Sequence, residues 1–536
     1  MIGLLFLLLL VPRYGAVPGA RPLPVVDLGY ARYKGNRVAA GVDEYLGMRY
    51  AAPPLGDLRF RGPREPSSTS ALQDASQFGP ICVGVGQSLS RYVSEDCLFI
   101  NIFTPSHATA LSKLPVWVHI QGGGYATNAN ANFNGTNVVQ RAGYDIVFVN
   151  FNYRVGALGF LASEQIRRDG DLNVGLLDQR KALLWVQENI EQFGGNREHV
   201  VIHGDSSGSG SIAHHMTAYG GRNDGLFVGA IHESTFWPTL RTVTEMEFQF
   251  DRIALATGCS AIPFQLSCLR RVDINRLQAA NTPSPFPGGS AHPPPRRYFL
   301  PVIDHDMIRG QLYDHFDQGP IVEVPLLVGD DTNEGSIFVS NASTAEDISL
   351  FFKANYPNLL PDSINKIHHT YPRLPPLPNH GPYFPSLSAA YGDAAFTCQG
   401  NHISSTLASR FSPRKAWNYR YNVQAPELVN QGLGVPHVFE LSAIFGVGFA
   451  GDSETTGYTD INEDIVPVVM DYWVSFIKTL DPNSGRDNQA PVWEPWGPGL
   501  GQRLKIQTNA TEMETVPSSL AAHCSMWKSL ANEMDV

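Results

Sequence analysis

The chain has 536 residues, 43% of them hydrophobic and 17% charged, with 50 glycines and 39 prolines. It can therefore bury a large core and is neither a disordered tail nor a collagen-like repeat. Its 39 Lys and Arg against 50 Asp and Glu leave a net charge of −11, which argues against nucleic acid as a partner.

Residues 2–11 form an apolar run followed by Pro12, Arg13 and a small-residue stretch ending at Ala20. This pattern predicts a secretory signal peptide over residues 1–20, with Ala16, Gly19 and Ala20 all candidate cleavage points. The run is too short to span a bilayer, and no later stretch is long enough either, so no transmembrane segment is expected. The expected location is extracellular. Six cysteines, an even number, suit an oxidising compartment and leave fifteen pairings open. None lies in a CxxC pattern or at zinc-ligand spacing, so structural bridges are expected and neither a metal nor a cofactor is implied. Sequons at Asn134, Asn341 and Asn509 agree with secretion.

Residues 116–120 and 146–151 are apolar runs rich in Val and Ile, of the kind found in strands covered on both faces. Between them and the next strand, Ala182, Leu183, Trp185, Val186 and Ile190 recur at helical spacing over residues 178–193, and Gly194-Gly195 stops the helix. A third strand, residues 200–203, runs into a Gly-rich turn and a helix over residues 211–219. Alternating strands and helices predict an α/β architecture. Two Pro-rich stretches, residues 282–301 and 371–385, read as surface excursions. Strand-like and motif-bearing segments continue beyond each, so residues 21–536 are expected to form one domain with insertions. Nothing in the sequence fixes an oligomeric state.

The chemistry concentrates at Gly204-Asp205-Ser206-Ser207-Gly208, a G-x-S-x-G between a strand and a helix, the context of a nucleophile elbow. Residues two before and two after the serine must lack bulk for strand and helix to approach, while Ser206 projects its hydroxyl. A serine needs a base to remove its proton and preorganised donors for the oxyanion formed on attack. Gly122-Gly123-Gly124, directly after the strand at residues 116–120, can turn backbone N–H groups into a cavity.

These features resemble the cholinesterase-like, type-B carboxylesterases and lipases of the α/β-hydrolase superfold, fungal secreted members in particular. The resemblance covers nearly the whole chain. It is carried by the blocks at residues 45–60 and 94–101, the glycine loop, Asn152-Tyr153-Arg154, Gly194-Gly195-Asn196 and the elbow. It implies a large, mostly parallel, twisted sheet with helices on both faces and long insertions. It further implies Ser206 as nucleophile, Glu334 in Gly329-Asp330-Asp331-Thr332-Asn333-Glu334-Gly335 as orienting acid, and His437 in Gly434-Val435-Pro436-His437 as base. The order Ser, Glu, His agrees with this superfold. Without the resemblance, sixteen histidines would leave the base open; His203, His214 and His215 read as packing residues and His368-His369 as surface.

The implied oxyanion donors are the N–H groups of Gly123, Gly124 and Ser207. The implied disulfides are Cys82–Cys97, Cys259–Cys268 and Cys398–Cys524, and Arg59 with Glu95 resembles a buried ion pair of the family. The chain departs from the usual pattern in having Asp205-Ser206-Ser207 for Glu-Ser-Ala and Gln121 for His. The expected activity is hydrolysis of carboxylic esters, with ester and water as the reaction partners. An acyltransferase shares every catalytic residue, a lipase differs in its lid, and a non-catalytic binding module would have lost the triad. Residues 83–96 contain Tyr92 as their single aromatic, so no platform for a choline ammonium is expected. Trp237 is a candidate lining for an acyl site, with core packing as the alternative.

Overall fold

A computed structural model of the chain describes residues 23–536 apart from 129–131, 412–414, 451–455, 498 and 500. The expected signal peptide, residues 1–20, lies outside the described residues. The centre is an eleven-stranded sheet. In chain order its strands are β1 (Asn36–Val38), β2 (Val42–Arg49), β3 (Phe99–Pro105), β4 (Leu114–Ile120), β5 (Val147–Phe151), β6 (Gly195–Asp205), β7 (Gly229–Glu233), β8 (Leu326–Asp331), β9 (Ala416–Tyr421), β10 (Gln502–Ile506) and β11 (Glu512–Thr515). Across the sheet they run β1-β2-β3-β5-β4-β6-β7-β8-β9-β10-β11. The pairings from β5 through β10 are parallel, and antiparallel strands extend the sheet on both sides.

Side chains alternate across a strand, so each central strand feeds two cores. Val116, Val118, Ile120, Val200, Ile202, Leu326 and Val328 point into one cluster, and Trp117, Phe148, Val201, Ile231, Leu327 and Trp417 into the other. The first cluster is closed by the helices α1 (Val174–Asn189) and α2 (Ser207–Gly221), through Leu183, Val186, Ile212 and Met216. The second is closed by the helix Ile465–Thr479, whose Val469, Trp473, Phe476 and Ile477 recur at helical spacing. Burial on both faces is why the central strands read as unbroken apolar runs.

The strands at residues 116–120 and 146–151 are found as β4 and β5, and the helix at 178–193 as α1 followed by a tight turn over Ile190–Phe193. Gly194 ends that turn at φ 85°, a left-handed position that suits glycine. Two expectations change. The strand at 200–203 begins earlier, at Gly195, where it pairs with Leu114 before a register irregularity. The segment at residues 282–301 does not stay at the surface: Phe286, Tyr298, Phe299 and Leu300 are buried in the first core cluster. Among the described residues no helix is long and apolar enough to cross a membrane.

Candidate active site

Parallel strands converge their carboxyl ends on one edge of the sheet, and ligands of such sheets bind there. Ser206 follows β6, Glu334 follows β8 and His437 follows β9. Ser206 stands at φ 55°, ψ −122°, a conformation costing on the order of 1–3 kcal/mol for a residue with a side chain. It is held by its N–H donating to the Glu233 carbonyl at 2.9 Å, and by its own carbonyl accepting from Gly210 at 3.0 Å and Phe236 at 3.2 Å. A Cβ on Gly208 would lie 1.9 Å from the Ile120 carbonyl oxygen, and one on Gly204 2.4 Å from the Gly208 carbonyl carbon. Strand, elbow and helix can meet because those two side chains are missing. The helix expected over residues 211–219 in fact opens at Ser207. Its first turn is Ser-Gly-Ser-Gly, whose weak helix propensity conceals it, and packing of Gly208 and Gly210 against β4 and Phe236 overrides that weakness. Regular helical geometry stops before Ala218, with Tyr219 at φ 54°.

An N–H in the first turn of a helix has no partner within that helix, which leaves the Ser207 N–H available beside the serine hydroxyl. The glycine loop lies opposite. Gly123 and Gly124 adopt φ 111° and 63°, values that only glycine takes readily. The loop is tied to the elbow at two points: the Gly122 N–H donates to Asp205 Oδ1 at 3.0 Å, and the Tyr125 N–H donates to Ser207 Oγ at 3.2 Å. The second tie uses the hydroxyl by which this chain departs from the usual Ala. Gln121, the other departure, donates to Asn128 Oδ1 at 2.8 Å and accepts at its carbonyl from the Tyr153 hydroxyl at 2.8 Å.

Glu334 and His437 are in direct contact, Glu334 Oε2 with the Nδ1 of the imidazole. The other carboxylate oxygen, Oε1, accepts from the Asp331 N–H at 2.8 Å, so the acid is fixed by its own strand end. The His437 ring packs on Phe338 and Phe396, with centroids 4.9 and 4.3 Å away. Its Nε2 is buried without a hydrogen-bond partner among the described residues, free to exchange a proton. Ser206 reaches the same corner through Phe236, whose ring packs 5.9 Å from that of Phe396. The arrangement can activate a hydroxyl and hold a tetrahedral oxyanion.

The sequence matches the model of the Carboxylesterase family over residues 22–527. The chain belongs to the carboxylesterase family. It is a carboxylic ester hydrolase of α/β-hydrolase fold. Among fungal relatives, Secreted lipase 1 of Botryotinia fuckeliana is 30% identical over 509 residues, covering 86% of this chain and 85% of the relative. Lipase 1 of Geotrichum candidum is 28% identical over 542 residues, covering 90% and 92%. The crystal structure of Aspergillus niger EstA superposes with a TM-score of 0.95 at 57% identity, covering 96% of this chain and 99% of that one.

Several other groups surround the site of this carboxylesterase. His203 also faces a carboxylate, with Nε2 2.8 Å from Glu233 Oε2, but its Nδ1 accepts from the Trp117 indole at 3.2 Å. Both ring nitrogens are engaged, and burial holds its pKa well below the ordinary value, so no site remains to take a substrate proton. His215 is tied to Gln179 at 3.0 Å, and burial pushes His214 down to about 3. His368 is half-buried against Ser349 rather than on the open surface, and His369 is exposed. Trp237 is a core residue, 2% exposed and packed on Tyr313 and Phe316.

Three disulfides are present, Cys82–Cys97, Cys259–Cys268 and Cys398–Cys524. Arg59 and Glu95 form a buried two-pronged ion pair at 2.5 and 2.8 Å. Asn341 and Asn509 are exposed, and Asn134 is half-buried.

Sequence reasoning missed the ring pair Phe338 and Phe396, the buried carboxyls and Arg297, because none belongs to a motif. Burial, and then repulsion from Glu440 and Glu334, raise Glu233 and Asp331 well above the usual carboxylate range. Burial pushes Asp330 up to about 7. The folded protein thus keeps the Asp330 proton up to about pH 7, whereas an unfolded chain releases it near ~4. Between those values the folded state binds more protons, so this contribution is full below the unfolded pKa and is lost as pH rises through the folded one. Asp330→Asn is expected to flatten the fall in melting temperature between about pH 4 and 7. Parallel curves for variant and parent would contradict this.

Proposed function

We propose that this carboxylesterase is a secreted serine hydrolase acting on dissolved esters. Ser206 Oγ attacks the ester carbonyl while His437 Nε2 takes its proton. Glu334 fixes the imidazole tautomer and stabilises the imidazolium. The N–H groups of Gly123, Gly124 and Ser207 receive the oxyanion, each donor contributing about 3–4 kcal/mol to the transition state. His437 then protonates the departing alcohol, and water, activated by the same imidazole, releases the acid from Ser206. The reading is supported by the strained elbow at Ser206 together with a Glu-paired histidine, at the same end of the sheet, whose second nitrogen has no hydrogen-bond partner among the described residues. Secretion after removal of residues 1–20, a single catalytic domain over residues 21–536 and glycosylation at the exposed Asn341 and Asn509 complete the proposal.

The names of the fungal relatives favour a second reading, a lipase working at an oil–water interface. A lid able to open at lipid must present an apolar face large enough to be costly in water. The segment closed by Cys82–Cys97 contains the two-residue strands Ile81–Cys82 and Val93–Ser94 and no helix, with Tyr92 63% exposed. It has no amphipathic face to lift. The rate on tributyrin is therefore expected to rise smoothly through the solubility limit, and aryl esters to be turned over in solution. A sharp increase at that limit, stronger with long-chain triglycerides, would favour the lipase. Partition of product toward a transester when an acceptor alcohol is added would favour acyl transfer.

A further inference from the structure

The segment of residues 282–301 places Arg297 against the oxyanion loop. A Cβ on Gly124 would lie 1.9 Å from Arg297 Nε and 2.4 Å from its Cζ, so the guanidinium fills the space that this glycine leaves open. Its Cζ stands 5.3 Å from the centre of the Phe338 ring and 5.8 Å from that of Phe236. Phe338 packs on His437, and the Phe236 N–H donates to the Ser206 carbonyl. The cation is thus framed by the loop, the base and the elbow together.

Its hydrogen bonding is incomplete. Nη1 donates to the Arg296 carbonyl at 3.2 Å, whereas Nε is buried without a partner. Among the described residues no carboxylate pairs with it. Arg297 is half-buried; among the described residues the fully buried Arg59, Arg154, Arg241 and Arg503 each have one, in Glu95, Asp178, Asp535 and Glu514. A desolvated guanidinium stays charged, and burial already lowers its pKa from the ordinary value. Face contacts with two phenyl rings compensate such a charge only in part. An unpaired cation beside a reacting centre is costly for stability, and a ligand carboxylate would complete it in a two-pronged geometry. The net charge of −11 makes such a local cation the more necessary for an anionic substrate.

We propose that Arg297 binds a carboxylate carried by the substrate, so that the preferred esters bear a free acid group, as the half-esters of dicarboxylic acids do. The proposal rests on the assignment of Ser206 and the glycine loop as the reacting centre. The same cation would repel a choline ammonium, in line with the absence of an aromatic platform in the first disulfide loop.

Two matched pairs of esters test the idea: 4-nitrophenyl hemiglutarate against 4-nitrophenyl pentanoate for an acid on the acyl side, and 4-acetoxybenzoate against its methyl ester for one on the alcohol side. The parent enzyme is expected to show a kcat/KM ratio of acid to neutral ester of about ten or more in one pair, corresponding to a single charge-assisted pair. Arg297→Met should lower that ratio at least about tenfold, and Arg297→Lys should restore part of it. A parent ratio near or below one in both pairs, or a ratio unchanged in Arg297→Met, would overturn the proposal. An equal fall for acid and neutral esters would also overturn it, placing the cation's action on the oxyanion instead. Binding of N-butylglutaramate to Ser206→Ala, measured by calorimetry with and without Arg297→Met, separates this proposal from the mechanism, because it needs no turnover. Affinity at least tenfold weaker without Arg297 supports the carboxylate site even if the nucleophile lies elsewhere, and equal affinity rejects it.

Discussion

Ser206→Ala is expected to lower ester turnover by roughly five to six orders of magnitude, the scale seen when a hydrolase loses a nucleophile that acts as a unit with its base. The melting temperature should stay within a few degrees of the parent. The elbow is built from backbone: the Ser206 N–H to Glu233, the Ser206 carbonyl to Gly210 and Phe236, and the close approach of Gly204 and Gly208. None of these uses the hydroxyl. Alanine does inherit the φ of 55°, so the strain persists without being increased. An organophosphate should label Ser206 in the parent and nothing in the variant. Labelling of Ser207 is disfavoured by its position, since its Oγ already accepts from the Tyr125 N–H. Turnover retained in a folded Ser206→Ala, or an adduct on another serine, would move the chemistry away from the elbow.

The central strands are legible in the sequence because both of their faces are buried. Val116, Val118 and Ile120 face one core and Trp117 the other, so apolar residues run without interruption. The same property hides which face each residue serves. The edge strands Asn36–Val38 and Glu512–Thr515 are half exposed and polar, and periodicity gives no hint of them. At the site, the elbow can be read directly, since its geometry demands glycines at fixed offsets. Glu334 and His437 lie on loops whose local sequence carries no such demand. Family resemblance singled them out, and the contact between them depends on β8 and β9 being neighbours. Arg297 shows the limit most plainly: its Pro-rich surroundings read as surface, yet Tyr298, Phe299 and Leu300 anchor the segment in the core and turn the arginine toward Gly124.

Glu334→Gln is expected to lower kcat by about four orders of magnitude, through the imidazole tautomer rather than through loss of fold. Glu334 Oε1 accepts from the Asp331 N–H, and an amide must keep an acceptor there, because a buried N–H left facing an NH2 group costs about 1–3 kcal/mol. The amide oxygen therefore takes that position and the NH2 turns toward His437 Nδ1. An NH2 group donates, so Nδ1 becomes the acceptor and the ring proton moves to Nε2. That nitrogen can then no longer accept from Ser206. Stability should hold or rise, because the Glu334 charge repels the buried carboxyls Glu233, Asp331 and Glu440, and the substitution removes that repulsion. Glu334→Asp keeps the charge but shortens the reach, and should retain more activity than the glutamine variant. A loss of less than about tenfold in Glu334→Gln, with an unchanged melting temperature, would show that the acid does not set the tautomer; a large loss accompanied by unfolding would show that its part is structural.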